Sequence, residues 1–203
     1  MSLANDGIDT LHVPMGERSY DIHVGDGAIA RAGNILEHKL RAPRTVIVTD
    51  ENVAKDWLKP LQKSLDGANI RNRAIVIPPG EHTKSMQHLE GLLDDLLAHN
   101  IDRKTTLIAL GGGVVGDLTG FAAAVVMRGI DFVQVPTTLL SMVDAGLGGK
   151  TGINSAHGKN LVDKHWYKLD ACYFSCFTSN TLFLLRNYAL SHIVDDFRSS
   201  LPS

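Results

Sequence analysis

The run Thr106-Leu-Ile-Ala-Leu-Gly-Gly-Gly-Val-Val-Gly-Asp117 limits what this chain can fold into more than any other stretch. Thr106 to Leu110 has no helical period, so it predicts a short buried strand that delivers three glycines to the next element. Val114, Val115, Leu118, Phe121, Ala122, Val125 and Val126 then recur at steps of three and four, which predicts a helix over 114–127 with one buried face. A strand, a glycine turn and a helix start together form an anion site, because unpaired N–H groups and the positive end of the helix dipole point into the turn. Glycines there let a phosphate or pyrophosphate come close to the backbone. The spelling matches neither G-x-G-x-x-G nor a Walker loop, so taken alone the turn fits a structural role equally well.

The same alternation runs through the chain. Residues 18–24 alternate in part and predict an edge strand, and 28–40 carry Ile29, Ala32, Ile35, Leu36 and Leu40 at helical spacing. Arg44 to Thr49 is β-branched and ends at Asp50, after which Val53, Trp57, Leu58, Leu61 and Leu65 mark a helix. Ala74 to Ile77 predicts a strand closed by Pro78-Pro79-Gly80, followed by a helix from Ser85 to about Asn100. Asp131 to Val135 predicts a further strand, ending at Pro136-Thr137-Thr138. Strands and helices that alternate with short connections predict a Rossmann-like, doubly wound, mostly parallel α/β sheet.

Several polar residues fall at the predicted strand ends, where open α/β sheets bind ligands. Asp50 suits a ribose hydroxyl or a helix cap, and Glu81 and Lys84 suit a solvated surface pair or ligand contacts. Thr137 and Thr138 suit a cap or a ligand equally. From Asp144 to Asn160, Lys150, Lys159, Asn154 and Asn160 stand in glycine-rich chain that is too polar for core and too short of apolar anchors for scaffold. That segment predicts a site for a phosphorylated, polyhydroxylated ligand.

Composition removes other classes. A net charge of −2 gives no electrostatic reason to expect nucleic acid or an anionic membrane as partner. No apolar stretch reaches membrane-spanning length and the first residues lack a basic-then-apolar pattern, so the expected location is cytoplasmic. Cys172 and Cys176 have no second pair, which supports neither a disulfide framework nor a zinc knuckle.

Six ordered blocks carry a resemblance: Gly111 to Asp117, Met127-Arg-Gly129, Gln134 to Leu140, Asp144, Gly148 to Asn154, and Gly158-Lys-Asn160. In order and spacing they resemble the signature series of 3-dehydroquinate synthases, over roughly residues 10–162 and including Pro79 to Lys84. That family converts a seven-carbon sugar-acid phosphate, DAHP, into 3-dehydroquinate with loss of phosphate, on the route to chorismate and the aromatic amino acids. It uses NAD and a divalent metal, usually zinc or cobalt. The resemblance implies that Asp50, Glu81 and Lys84 hold the adenosine and ribose side of NAD, while Gly113, Val114, Val115, Gly116 and Asp117 take the pyrophosphate. Thr137, Thr138 and Leu140 would line the nicotinamide. Asp144, Lys150 and Asn160 would bind substrate, with Lys150 and Lys159 also meeting the cofactor. Arg128 would reach the substrate phosphate of a neighbouring subunit in a homodimer.

The chain also departs from the family, whose second, helical domain supplies a glutamate and two histidines as metal ligands. Here the last glutamate is Glu90, and all 19 glycines lie at or before Gly158. The expected organisation is an NAD-binding domain over 1–162 and a divergent tail over 163–203, with the helical domain largely missing. No metal ligands are assigned, since beyond Asn160 the candidates are only Asp163, His165, Asp170, His192, Asp195 and Asp196.

Overall fold

A computed structural model describes residues 7–13, 19–145 and 149–165 of the 203-residue chain. The two cysteines and the candidates Asp170, His192, Asp195 and Asp196 lie outside the described residues, as does the stretch 146–148. At the centre is a parallel sheet of β3 (Arg44–Asp50), β4 (Arg71–Ile77), β5 (Thr106–Gly111) and β6 (Asp131–Pro136), in the order β4-β3-β5-β6. Every residue of β5 is buried, which is what a strand covered on both faces requires and why its sequence runs apolar without alternation.

Successive residues of these strands feed two separate cores. Val46, Val48, Leu107, Ala109 and Phe132 pack on one face beneath α4 (Met86–Ala98) and α5 (Gly113–Val125). Ile47, Ile108, Leu110, Val133 and Val135 pack on the other, beneath α1 (Ala32–Glu37) and α3 (Lys59–Gly67). The fold is therefore doubly wound, as the alternation predicts. Chain leaving β3 turns through α2 (Glu51–Val53) and a π-helical turn (Ala54–Leu58) to one face, while chain leaving β5 goes directly into α5 on the other. Adjacent strands that part in opposite directions open a crevice at their C-terminal ends. Asp50 and Gly111 stand at its two lips, since Thr49 pairs with Leu110 just before them.

Two further pieces differ from expectation. β1 (Ile8–Val13) and β2 (Tyr20–Gly25) form their own antiparallel pair, so the strand read over 18–24 is not an edge of the parallel sheet. β7 (Lys150–Ser155) and β8 (Gly158–His165) form an antiparallel hairpin in the segment read as too polar for scaffold. Thr151, Gly152 and Ile153 are buried there, and Ile153 joins the core under α5. The close approach depends on Gly120, because a Cβ at that position would lie 2.3 Å from Thr151 Cγ2 and 3.1 Å from Phe132.

Candidate functional site

The site is built around the start of α5. Gly112 occupies the N-cap with no side-chain hydrogen bond, so the first amides of the helix, from Gly113 onward, face outward without a cap from the chain. Gly111 O accepts from Thr137 N at 2.9 Å, which fastens the end of β6 to the glycine turn. A Cβ on Gly112 would meet Thr138 Cγ2 at 3.1 Å, so the threonine wall and the glycine floor already touch. Thr138 and Ser141 bond each other through their hydroxyls at 2.8 Å, while Thr137 Oγ1 is buried without a partner among the described residues. Buried hydroxyls are normally satisfied, and this one sits beside the open helix end.

Lys84 comes to the same place from the loop after β4. Its ammonium is buried and lies 2.5 Å from Asp117 Oδ2 and 2.5 Å from Asn160 Oδ1. The pairing read as a surface contact between Glu81 and Lys84 is thus not the one formed: Lys84 turns inward to α5, and Glu81 bonds Asn154 Nδ2 at 2.9 Å. Glu81 and Lys84 also precede α4, in a 3₁₀ turn (Glu81–Thr83) and the residue after it, because Ser85 caps the helix by accepting from His88 N. Burial pushes the Asp117 carboxyl above the usual carboxylate range, and nearby Glu81 and Asp144 push it the same way; Lys84 pulls it back only in part.

Asn154 joins the two halves of the cluster. Its backbone N donates to Lys84 O at 2.8 Å, its Nδ2 donates to Glu81, and its Oδ1 accepts from Asn160 N at 3.0 Å. The signal available in the sequence was an amide-bearing residue at the end of an alternating Lys-Thr-Gly-Ile-Asn strand, next to a turn.

The remaining residues fall at varied distances. Asp50 caps α2, with Oδ1 accepting from Asn52 N at 2.8 Å and Val53 N at 3.1 Å. Asp144 is exposed in a π-helical turn (Ser141–Ala145), Leu140 is exposed just before it, and Lys150 is exposed at the start of β7. Lys159 Nζ stands 4.0 Å from Glu81 Oε1. Arg128 is not brought to this cluster: it lies past the far end of α5, roughly 18 Å from Gly113 at 1.5 Å of rise per residue. It is exposed on a turn where Met127, Arg128 and Gly129 all take positive φ, of 51°, 69° and 107°. Among the described residues no group of three or more His, Cys, Asp or Glu stands together as a metal site. No described helix is long and apolar enough to cross a membrane.

A doubly wound α/β unit with an uncapped glycine-turn helix at its switch point is the architecture of a nucleotide-binding domain. Comparison with known proteins narrows this class. Residues 74–182 match the family model of the 3-dehydroquinate synthase N-terminal region. The 3-dehydroquinate synthase of Rhizobium johnstonii is 57% identical over 155 residues, covering 76% of this chain and 41% of that protein. That of Rhodospirillum rubrum is 58% identical over 152 residues, covering 75% and 40%. The chain belongs to the 3-dehydroquinate synthase family, and it spans about two fifths of the length of these curated relatives. Among solved structures, 2-epi-5-epi-valiolone synthase from Streptomyces hygroscopicus, with NAD+ and Zn2+ bound, superposes with a TM-score of 0.69 at 31% identity, covering 80% of this chain and 44% of that one. A 2-deoxy-scyllo-inosose synthase complexed with carbaglucose-6-phosphate, NAD+ and Co2+ superposes with a TM-score of 0.74 at 23% identity, covering 82% and 46%, and shares the fold.

Proposed function

We propose that this chain is the NAD-binding part of a 3-dehydroquinate synthase, the enzyme that converts DAHP to 3-dehydroquinate with release of phosphate. The observation that carries the reading is the uncapped start of α5 at the sheet's switch point, with glycines where a pyrophosphate must touch backbone. In this reading the amides from Gly113 to Val115 take the pyrophosphate, since Gly116 N already donates to Gly112 O, and Asp50 meets a ribose hydroxyl through the carboxylate that also caps α2. The threonine wall of Thr137 and Thr138, with Leu140 beyond it, lines the nicotinamide, and the orphaned Thr137 hydroxyl finds its partner there. Bound NAD supplies a hydride acceptor that is restored within each turnover, so its place is to be held tightly and oriented. Lys84 offsets Asp117 beside the pyrophosphate, and Asn154 keeps Glu81, Lys84 and Asn160 in one arrangement.

On the substrate side, Asp144, Lys150, Asn160 and Lys159 bind a polyhydroxylated sugar-acid phosphate. Arg128, remote from this cluster, serves the phosphate site of a second copy in a homodimer. The residues described here do not form a metal site, so the zinc or cobalt of the family has no place in the steps assigned to them. Residues 1–162 are read as the nucleotide-binding unit and 163–203 as a divergent tail. A cytoplasmic location without membrane or nucleic-acid partners belongs to the same reading. Calorimetric titration of the purified chain with NAD tests it: saturable binding at about 100 μM or tighter is expected, with competition from pyrophosphate. Absence of binding up to about 1 mM would overturn it.

A further inference from the structure

At the opposite end of the sheet, where β3 and β4 begin, lies a cleft of about 300 Å³ lined by Arg44, Arg71, Arg73, His99, Asn72 and Ile101. We propose that this cleft binds a small phosphate-bearing dianion, gripped by Arg44, Arg71 and Arg73.

The three guanidiniums converge by register. Arg44 pairs with Arg71 and Val46 with Arg73 across the parallel ladder, and side chains two apart on a strand share a face. That face is the one covered by α4, because Val46, Val48, Ile75 and Ile77 continue it into the core. The helix ends before it reaches the arginines, at Ala98, and the space beyond its end is the cleft.

Charge is unbalanced there. Arg44 contacts Asp102 at 3.1 Å, whereas among the described residues the guanidiniums of Arg71 and Arg73 have no ion-pair or hydrogen-bond partner, the bonds of Arg71 with Pro43 O and Thr45 Oγ1 being made by its backbone. Three guanidiniums less one carboxylate leave two positive charges, in a chain whose formal net charge is −2. Two uncompensated charges match a phosphate monoester or inorganic phosphate, which carry about −1.5 to −2 at pH 7, better than a single carboxylate. Forked guanidiniums also suit phosphate oxygens, which accept paired N–H bonds.

The end of α4 brings carbonyl groups that would oppose an anion, but those of Asp95, Leu96 and Leu97 already accept hydrogen bonds. His99 N donates to Asp95 O and Leu96 O, Asn100 N donates to Leu97 O, and the His99 ring sits 2.6 Å from Asp95 O through Nδ1. The competing explanation is that arginines on β4, an edge strand, only discourage pairing with another chain. Protection of an edge needs charge but neither a cleft nor a third arginine on the neighbouring strand.

The test is an NMR titration of the full chain with inorganic phosphate and, separately, glycerol phosphate, at constant ionic strength against chloride. Saturable shifts at the amides of Arg44, Arg71 to Arg73 and His99 to Ile101 are expected, with a dissociation constant of about 1 mM or tighter. Arg71→Ala with Arg73→Ala should weaken binding at least about tenfold, and the paired Lys variants should lose less. Response to both probes assigns the site to the phosphate group, and response to glycerol phosphate alone assigns it to phosphorylated metabolites. No saturation by about 20 mM, shifts confined to Gly111 to Asp117, or wild-type affinity in the double Ala variant would overturn the proposal. Both substitutions are on exposed side chains of an edge strand, and unchanged NAD binding shows that the variants are folded.

Discussion

Lys84 shows how little of a residue's role is set by its neighbours in sequence. Three residues from Glu81 it has the spacing of a surface pair, yet its side chain is only 5% exposed and its charge is spent on Asp117 and Asn160. Replacing it with methionine keeps the packing and strands Asp117. Removing one partner of a buried pair costs about 3–5 kcal/mol, and the partial exposure of Asp117 puts the expected loss near the lower figure. The sign with pH follows from burial, which raises the Asp117 carboxyl above its ordinary value of 3.8. A folded state that holds the proton more tightly than the unfolded one gains stability as pH falls into that window and loses it as pH rises through the raised value. Without Lys84 the value rises further. Lys84→Met should therefore cost more above the raised Asp117 value than below it, measured by urea denaturation as a function of pH; a loss independent of pH would contradict the assignment.

At the scale of elements, the contact between α5 and β7 seats the β7–β8 hairpin against the helix that leaves the glycine turn. Gly120→Ala places a methyl against Thr151 Cγ2, so it should destabilise by about 1–3 kcal/mol through overpacking. Thr151→Ser removes the clashing methyl and keeps the hydroxyl, so the double variant should recover most of that loss in thermal denaturation. The β1–β2 pair offers a second measurement. Burial, reinforced by Lys39, holds His23 below its ordinary value of 6.5, with Asp21 opposing; Nδ1 lies 2.9 Å from Thr10 Oγ1 and Nε2 is buried. The unfolded chain then binds the proton first, so stability is lost as pH falls below about 6.5, by no more than about 1.4 kcal/mol per pH unit for one proton. Amide exchange over Ile8–Val13 and Tyr20–Gly25 should quicken from pH 7 to 5.5 beyond the intrinsic rate change, and His23→Gln should flatten that response. These two pieces are also where the sequence was least legible. β3, β5 and β6 announce themselves because strands buried on both faces run almost continuously apolar, and β4, at the sheet's edge, does so through its apolar end from Ala74 to Ile77. The β7–β8 hairpin earns its place through Thr151, Gly152 and Ile153 alone, and three buried residues among lysines, asparagines and glycines do not raise a periodic signal. The site's glycine turn was legible because its backbone chemistry is local; the Lys84–Asp117–Asn160 cluster was not, because it joins residues 33 and 76 positions apart.

For the whole molecule, the question is what two fifths of a family member's length can do. The nucleotide binding proposed for this chain rests on the switch point, the uncapped helix and the lysine cluster, which all lie within residues 44–160. Turnover of the kind proposed for the full enzyme needs a metal with three protein ligands in fixed geometry. After Glu90 the chain contains no glutamate, and its described residues gather no group of three His, Cys, Asp or Glu. The two capacities should therefore separate in this chain. Purified and supplied with NAD, DAHP and either zinc or cobalt, it should bind NAD while releasing phosphate no faster than a control without protein. Supplying the remaining part of a related synthase in trans should restore release only where the crevice between β3 and β5 is intact, so Lys84→Met should remain silent. Phosphate release by the chain alone at roughly 1 per second or faster would show that residues beyond Asn160 complete a metal site after all.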